Sequence, residues 1–175
     1  MNEDLLRFKK NLNLVIFDYE TCNLNLGLSS NKPWQLAFIV VKNGKIIEKQ
    51  DYHLGWDDLN VSKDAAKITG FNKKKHDKVA VDPKKALDHF EKYLYDDSFL
   101  KVGHNILGFD IYIHSIHRKL LGLPVDYSYL NQALDTVCLA RAVKKEIPFN
   151  NGSTLSWQYK LLNIKERGLR VSLQQ

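Results

Sequence analysis

The chain has 175 residues, 44% hydrophobic and 26% charged, a balance that fits one folded domain with a sizeable core and excludes a disordered or low-complexity chain. Lys and Arg outnumber Asp and Glu by 26 to 20, and the resulting formal charge of +6 favours a polyanionic partner. Cys22 and Cys138 are too few for a disulfide framework, no Cys/His pattern has zinc spacing, and an acidic N-terminus without a long apolar run points away from a secretory signal or a membrane span, so a cytoplasmic location is expected.

In chain order, residues 3–10 read as a short amphipathic lead-in. The apolar run 14–17 then reads as a strand buried on both faces, and it ends in Asp18 and Glu20. A polar loop closed by Pro33 leads to a strand over 34–41. Asn43-Gly44 predicts a hairpin, and residues 46–54 return as a third strand with a polar outer face. Residues 61–70 carry a helix-start Ser62 and a terminal Gly70. Lys73, Lys74, Lys75 and Lys78 make residues 72–78 the densest basic stretch, read either as a solvated loop or as a phosphate-facing rim. Asp82-Pro83 caps a helix in which Ala86, Leu87, Phe90, Tyr93 and Leu94 recur at helical spacing. A short buried strand over 98–103 leads into His104-Asn105, and a periodic helix is expected over 106–121, stopped by Gly122. Residues 134–137 read as a fifth strand or as the first turn of the helix that includes Leu139, Ala140 and Val143. A loop over 148–152 and a last helix capped by Ser153 or Thr154 close the reading. Three antiparallel strands followed by strands alternating with helices indicate an α/β domain with a mixed sheet.

Alternate residues of a strand share a face, so Asp18 and Glu20 aim their oxygens together. Crowded carboxylates at a buried strand end repel and rise in pKa, and a hard divalent cation such as Mg²⁺ or Mn²⁺ relieves that. A surface Asp-x-Glu in a loop is the bland alternative. The third carboxylate of interest, Asp110, lies in Gly103-His104-Asn105-Ile106-Leu107-Gly108-Phe109-Asp110, at a strand-to-helix junction of the kind that gathers at one edge of an open α/β sheet. Its bland reading is an acid that complements the dipole at a helix start.

Taken together, these stretches resemble the DEDD superfamily of 3′–5′ exonucleases, of the DEDDh type, with a fold similar to RNase H. Phe17-Asp18-Tyr19-Glu20-Thr21 is similar to the family's first motif, and Gly103-His104-Asn105 with Phe109-Asp110 to its second. Residues 66–71 resemble the turn that leans over a 3′-terminal nucleotide, with Thr69 where a His is common. Asp135-Thr136 with Leu139-Ala140-Arg141 resembles the fifth strand and its helix. The nearest likeness is to proofreading exonuclease domains of bacterial and phage DNA polymerases, with RNase T and oligoribonuclease as cousins.

The resemblance implies two-metal hydrolysis of a phosphodiester at a 3′ end of single-stranded DNA or RNA, with two Mg²⁺ or Mn²⁺ ions held by Asp18, Glu20 and Asp110. It implies that Thr21 and Asn105 position the terminal nucleotide and that Ile68 or Phe109 packs against a base. The family's third motif, a His followed five residues later by an Asp, is expected after the segment corresponding to 164–173, where this chain stops. Residues 1–175 are therefore expected to be a single exonuclease-like domain, truncated or split at the C-terminus, with low activity alone and the missing segment or a DNA polymerase as partner; the alternative is an incomplete module that binds single-stranded nucleic acid or a partner protein. His53 and Asp58 have the spacing of the third motif but are expected to lie away from the metal edge, His114 and His117 have no Asp five residues on, and His104 is expected to hydrogen-bond locally.

Overall fold

The computed structural model describes residues 12–23, 25 and 31–143. Five strands, β1 (Leu14–Thr21), β2 (Pro33–Lys42), β3 (Lys45–His53), β4 (Leu100–Gly103) and β5 (Ala133–Asp135), form one sheet in the order β3-β2-β1-β4-β5. β2 runs antiparallel to β1 and β3, whereas β4 runs parallel to β1 and β5 parallel to β4, the mixed sheet expected from the sequence. The β2–β3 turn takes positive φ at Asn43 (52°) and Gly44 (72°), which the Asn-Gly pair tolerates at little steric cost.

The helices are α1 (Lys63–Thr69), α2 (Lys73–Val79), α3 (Pro83–Leu94), α4 (Asp110–Leu120) and α5 (Thr136–Val143). The Ser62 side chain caps α1 by accepting from the Ala65 N–H, and Gly70 ends it with φ 75°. The Asp82 carboxylate caps α3 by accepting from the Lys84 and Lys85 N–H groups, with Pro83 in the first turn. The core lies on one face of the sheet. Val15, Phe17 and Tyr19 of β1, with Leu36, Phe38 and Val40 of β2, pack against Ala86, Phe90 and Leu94 of α3 and Ile113 of α4. Phe90 sits between Phe17 and Phe38, with ring centroids at 5.1 and 5.4 Å.

Several sequence expectations are corrected. β1 is fully buried on one face only, because its burial alternates: Leu14, Ile16, Asp18 and Glu20 are half-buried while Val15, Phe17, Tyr19 and Thr21 are buried. The basic stretch is not a loop but helix α2, capped by the Asn72 side chain on the Lys75 N–H and docked through buried His76, whose Nε2–H donates to Leu54 O at 3.2 Å. The helix expected from residue 106 begins at Asp110, since residues 104–109 form turns. Residues 134–137 hold both readings at once, the end of β5 passing directly into α5. A 3₁₀ turn at Ser128–Gln132 was not anticipated. The lead-in at 3–10, the loop at 148–152, the helix after Ser153 and the segment 164–173 lie outside the described residues.

Candidate metal-binding active site

β1 carries Asp18 and Glu20 at its C-terminal end on the shared, half-buried face that strand alternation dictates. Residue 19 turns its ring the other way, into the core, while its backbone serves the site: the Tyr19 N–H donates to Asp110 Oδ1 at 2.9 Å, a buried hydrogen bond between residues 91 apart in sequence. One bond thus fastens the first residue of α4 to the β1 backbone at the residue between Asp18 and Glu20. Parallel pairing of Ile16 with Val102 sets this up, since it delivers the end of β4, and the turn after it, beside the end of β1.

That turn is built by two glycines and an aspartate. A Cβ on Gly103 would stand 2.1 Å from Ile106 Cγ2 and 3.0 Å from Phe17 O, so only glycine lets the chain fold back over β1 here. Asn105 takes a left-handed conformation (φ 62°), and its amide lies over Gly108, where a Cβ would meet Asn105 Oδ1 at 2.6 Å. The Asp135 carboxylate, at the end of β5, accepts from the Asn105 and Val137 N–H groups at 2.9 Å and from the Leu107 N–H at 3.1 Å. Two of these bonds anchor the turn at residues 105–107 to the end of β5, and the third caps the start of α5. The sequence reading placed Asp135 in a strand without a role; the visible signal was an acid at a strand end directly before a Thr and a helix.

Burial raises all three carboxyl groups, and neighbouring negative charge adds to it at Glu20 and Asp110. Asp18 is pushed up to about 6 by burial, and Glu20 to about 7 by burial and then by the charge of Asp18. Asp110, only 1% exposed, lies well above the usual carboxylate range, chiefly through burial and then the Asp18 charge, against the opposing pull of the Tyr19 N–H. Asp110 Oδ2 is buried and has no hydrogen-bond partner among the described residues. A buried carboxylate oxygen without a donor, on a group that feels the charges of Asp18 and Glu20, fits a hard divalent cation by donor type and by charge. Among the described residues, no group of three or more His, Cys, Asp or Glu side chains is by itself arranged to hold an ion.

The other predicted residues are placed as follows. Thr21 is buried, and its hydroxyl donates to Asn23 O at 2.7 Å, so its side chain is engaged locally and not turned to the carboxylates. Asn105 is exposed on the turn before Asp110. Phe109 is partly buried and packs against the core, whereas Ile68 is 70% exposed on α1. Among the histidines, His104 Nδ1 pairs with Thr136 Oγ1 at 3.0 Å, the local bond expected of it. His53 is at the same end of the sheet as Glu20, contrary to expectation, because Gln35 pairs with both. It is nevertheless packed between Trp34 and His76, and Asp58 is paired with Lys32. His117 donates from Nε2 to Pro83 O at 3.0 Å and faces the Tyr19 hydroxyl with Nδ1 at 3.4 Å, and His114 donates to Glu91 Oε1 at 2.9 Å.

A mixed sheet in the order β3-β2-β1-β4-β5, with acids at the end of its central strand and at the start of the helix after β4, is an RNase H-like nuclease architecture. The RNase_T family, described as Exonuclease, matches residues 15–166, and the chain belongs to it. No curated protein matches the chain in sequence. Solved structures with the same fold include exonuclease I in complex with the inhibitor BCBP (17% identity, TM-score 0.74, covering 94% of this chain and 39% of that one). An ExoI/SSB-Ct complex matches at 16% identity and TM-score 0.74, covering 94% of this chain and 39% of that one. E. coli exonuclease I in complex with a dA16 oligonucleotide matches at 18% identity and TM-score 0.64, covering 75% of this chain and 29% of that one. The chain thus spans about two fifths or less of the exonuclease I chains named here.

Proposed function

We propose that the chain is a metal-dependent 3′–5′ exonuclease domain that removes nucleotides from the 3′ end of a single strand, with Asp18, Glu20 and Asp110 holding Mg²⁺ or Mn²⁺. The observation that carries this reading is the Tyr19–Asp110 hydrogen bond, which gathers acids from two distant motifs within an exonuclease-family fold. Divalent ions held there would supply an activated water and charge stabilisation at the leaving oxygen. The chain's own residues do the rest. Asp110 is fixed by the Tyr19 backbone, and Asp18 and Glu20 share one strand, so the backbone brings the three acids to one edge of the sheet. Exposed Asn105 and Leu107 on the turn, and Ile68 on α1, offer a polar and two apolar contacts to the terminal nucleotide. The exonuclease I structure holding a dA16 oligonucleotide makes a free single strand, not a polymerase-held primer, the substrate to try first.

The test is Mn²⁺-dependent release of mononucleotides from a 3′-labelled single strand by this chain and by its Asp18→Ala variant. Release by the wild type that falls at least about 100-fold in the variant supports the reading, as expected when a group essential to the site is removed. Equal release from both would overturn it, and strand binding without release would leave a binding module in its place.

A further inference from the structure

Helices α1 and α2 contain six lysines, Lys63, Lys67, Lys73, Lys74, Lys75 and Lys78, against two aspartates, Asp64 and Asp77, so this short segment holds most of the chain's excess positive charge. All six lysines are exposed. Lys73 pairs with Asp77 at 3.1 Å, while Lys63, Lys67, Lys74, Lys75 and Lys78 have no carboxylate within ion-pair distance among the described residues. On α2 the buried residue is His76, and helical spacing turns Lys74 and Lys78 to the opposite, outward side. Two exposed apolar side chains, Ile68 (70%) and Val79 (57%), sit among these ammonium groups.

The segment's place on the sheet gives the charge a meaning. The Ser62 N–H donates to Cys22 O at 2.8 Å, which ties the start of α1 to a residue two beyond Glu20. Phe71, between the helices, packs on Trp34 at 5.0 Å, and His76 on His53 at 5.5 Å, both at the end of the sheet where Gln35 pairs with Glu20. Another exposed lysine group lies towards the β2–β3 hairpin: Lys42 and Lys45 pair with each other beyond the pairing of Val41 with Leu14, and Lys49 pairs with Ile39 further along β3. Six residues of strand, about 20 Å, separate the two ends.

We infer that the outer faces of α1 and α2 form the path along which the phosphate backbone of the single strand approaches the Asp18–Glu20 edge, a proposal that rests on the exonuclease reading above. The lysines neutralise successive phosphates, and Ile68 and Val79 give bases an apolar surface that a strand free of pairing can reach. The polarity is set by the site: the 3′ end sits at the carboxylates and the upstream nucleotides lie over the helices.

The test is fluorescence anisotropy with a labelled oligothymidylate of about 20 nucleotides, in EDTA and over a series of KCl concentrations, on the full chain. A Lys74→Gln/Lys75→Gln/Lys78→Gln variant is expected to bind roughly 10- to 100-fold more weakly near 0.1 M salt and to flatten the logarithmic salt slope by about 2, from the ~0.7 per phosphate contact of single strands. The same three positions changed to Arg should keep the wild-type slope, and a Lys42→Gln/Lys45→Gln/Lys49→Gln variant, with equal charge removed, should lose less than about twofold. Equal losses from the two Gln triples would overturn the path, as would an unchanged slope in the helix triple. A wild type that binds with the expected slope but releases no nucleotide would sink the exonuclease reading and leave the path standing; a wild type that does not bind would overturn both.

Discussion

At the scale of single residues, the site is a set of acids held in place against their own repulsion. Asp18 and Glu20 titrate near 6 and 7 in the folded chain, above the ordinary carboxylate values of 3.8 and 4.5. A raised folded-state pKa means that the folded chain holds its protons more tightly than the unfolded one. The contribution to stability is therefore fully present below the unfolded values and is lost as pH rises through about 6 to 7. Without divalent ions, an Asp18→Asn/Glu20→Gln variant should be more stable than wild type by about 1–3 kcal/mol at pH 8, after allowance for the partial exposure of both groups. The two proteins should converge only below the lower ordinary value of 3.8 in urea unfolding. Mn²⁺ at pH 8 should narrow the gap by stabilising the wild type selectively, because the ion binds the native acids and not their amides. An identical denaturation midpoint at pH 8 without metal would show that the two acids do not repel.

At the scale of elements, the piece that matters most is the turn from β4 to α4. Periodicity over residues 106–121 reads as one helix, and Ile106 is buried as that pattern requires. In a helix from residue 106 the Asn105 and Leu107 N–H groups would have no intrahelical partner; the Asp135 carboxylate satisfies both with charge-assisted bonds, while Asn105 leaves the helical region at φ 62°. Asp135→Ala leaves three backbone N–H groups without this acceptor and is expected to cost about 2–4 kcal/mol. Amide exchange at Asn105 and Leu107 should accelerate by more than that at the core amides of β1, because the turn loosens before the sheet opens. Unaltered protection at those two amides would mean that the turn is held by something other than Asp135. α2 makes the complementary point about elements. Four lysines in seven residues look like a solvated loop, and docking of His76 beneath Trp34 and against Leu54 O holds them as a helix.

At the scale of the whole molecule, acid and base act on opposite sides of the same core. His117, deep between α3 and α4, is lowered by burial to about 4, and His114 is lowered mainly by burial as well. The folded chain thus excludes protons that the unfolded chain accepts below about 6.5, and stability is lost as pH falls from there towards 4. A His117→Gln variant can still donate to Pro83 O but does not titrate. It should be less stable than wild type at pH 7, yet lose up to about 2 kcal/mol less between pH 7 and pH 5. Chemical denaturation at the two pH values reads this directly, and parallel losses in both proteins would assign the acid limb to other groups. The carboxyl cluster gains stability over the same interval, so the protein's pH profile is the difference between two opposed titrations that meet at one residue, Tyr19, whose hydroxyl lies 3.4 Å from His117 Nδ1 and whose N–H holds Asp110.

The sequence by itself determined the local devices and the pairing that depends on them: the apolar run ending in Asp18 and Glu20, the Asn43-Gly44 hairpin, the Ser62 and Asp82 caps, and the Gly70 stop. Each is settled by neighbours within a few residues, through strand alternation, positive φ or an unsatisfied helix N–H, and so can be read without knowing what lies across the fold. The spacing of two motifs was also enough to identify the family and its sheet. Only the tertiary structure decided that Asp110 meets the Tyr19 backbone, that Asp135 shapes the turn before it, that the Thr21 hydroxyl turns to Asn23 O, and that the lysine-rich stretch is a helix at the carboxylate end of the sheet. Apart from the local Thr21 bond, these depend on contacts between residues brought together by the parallel β1–β4–β5 order and by packing around Trp34, which no single stretch of sequence contains.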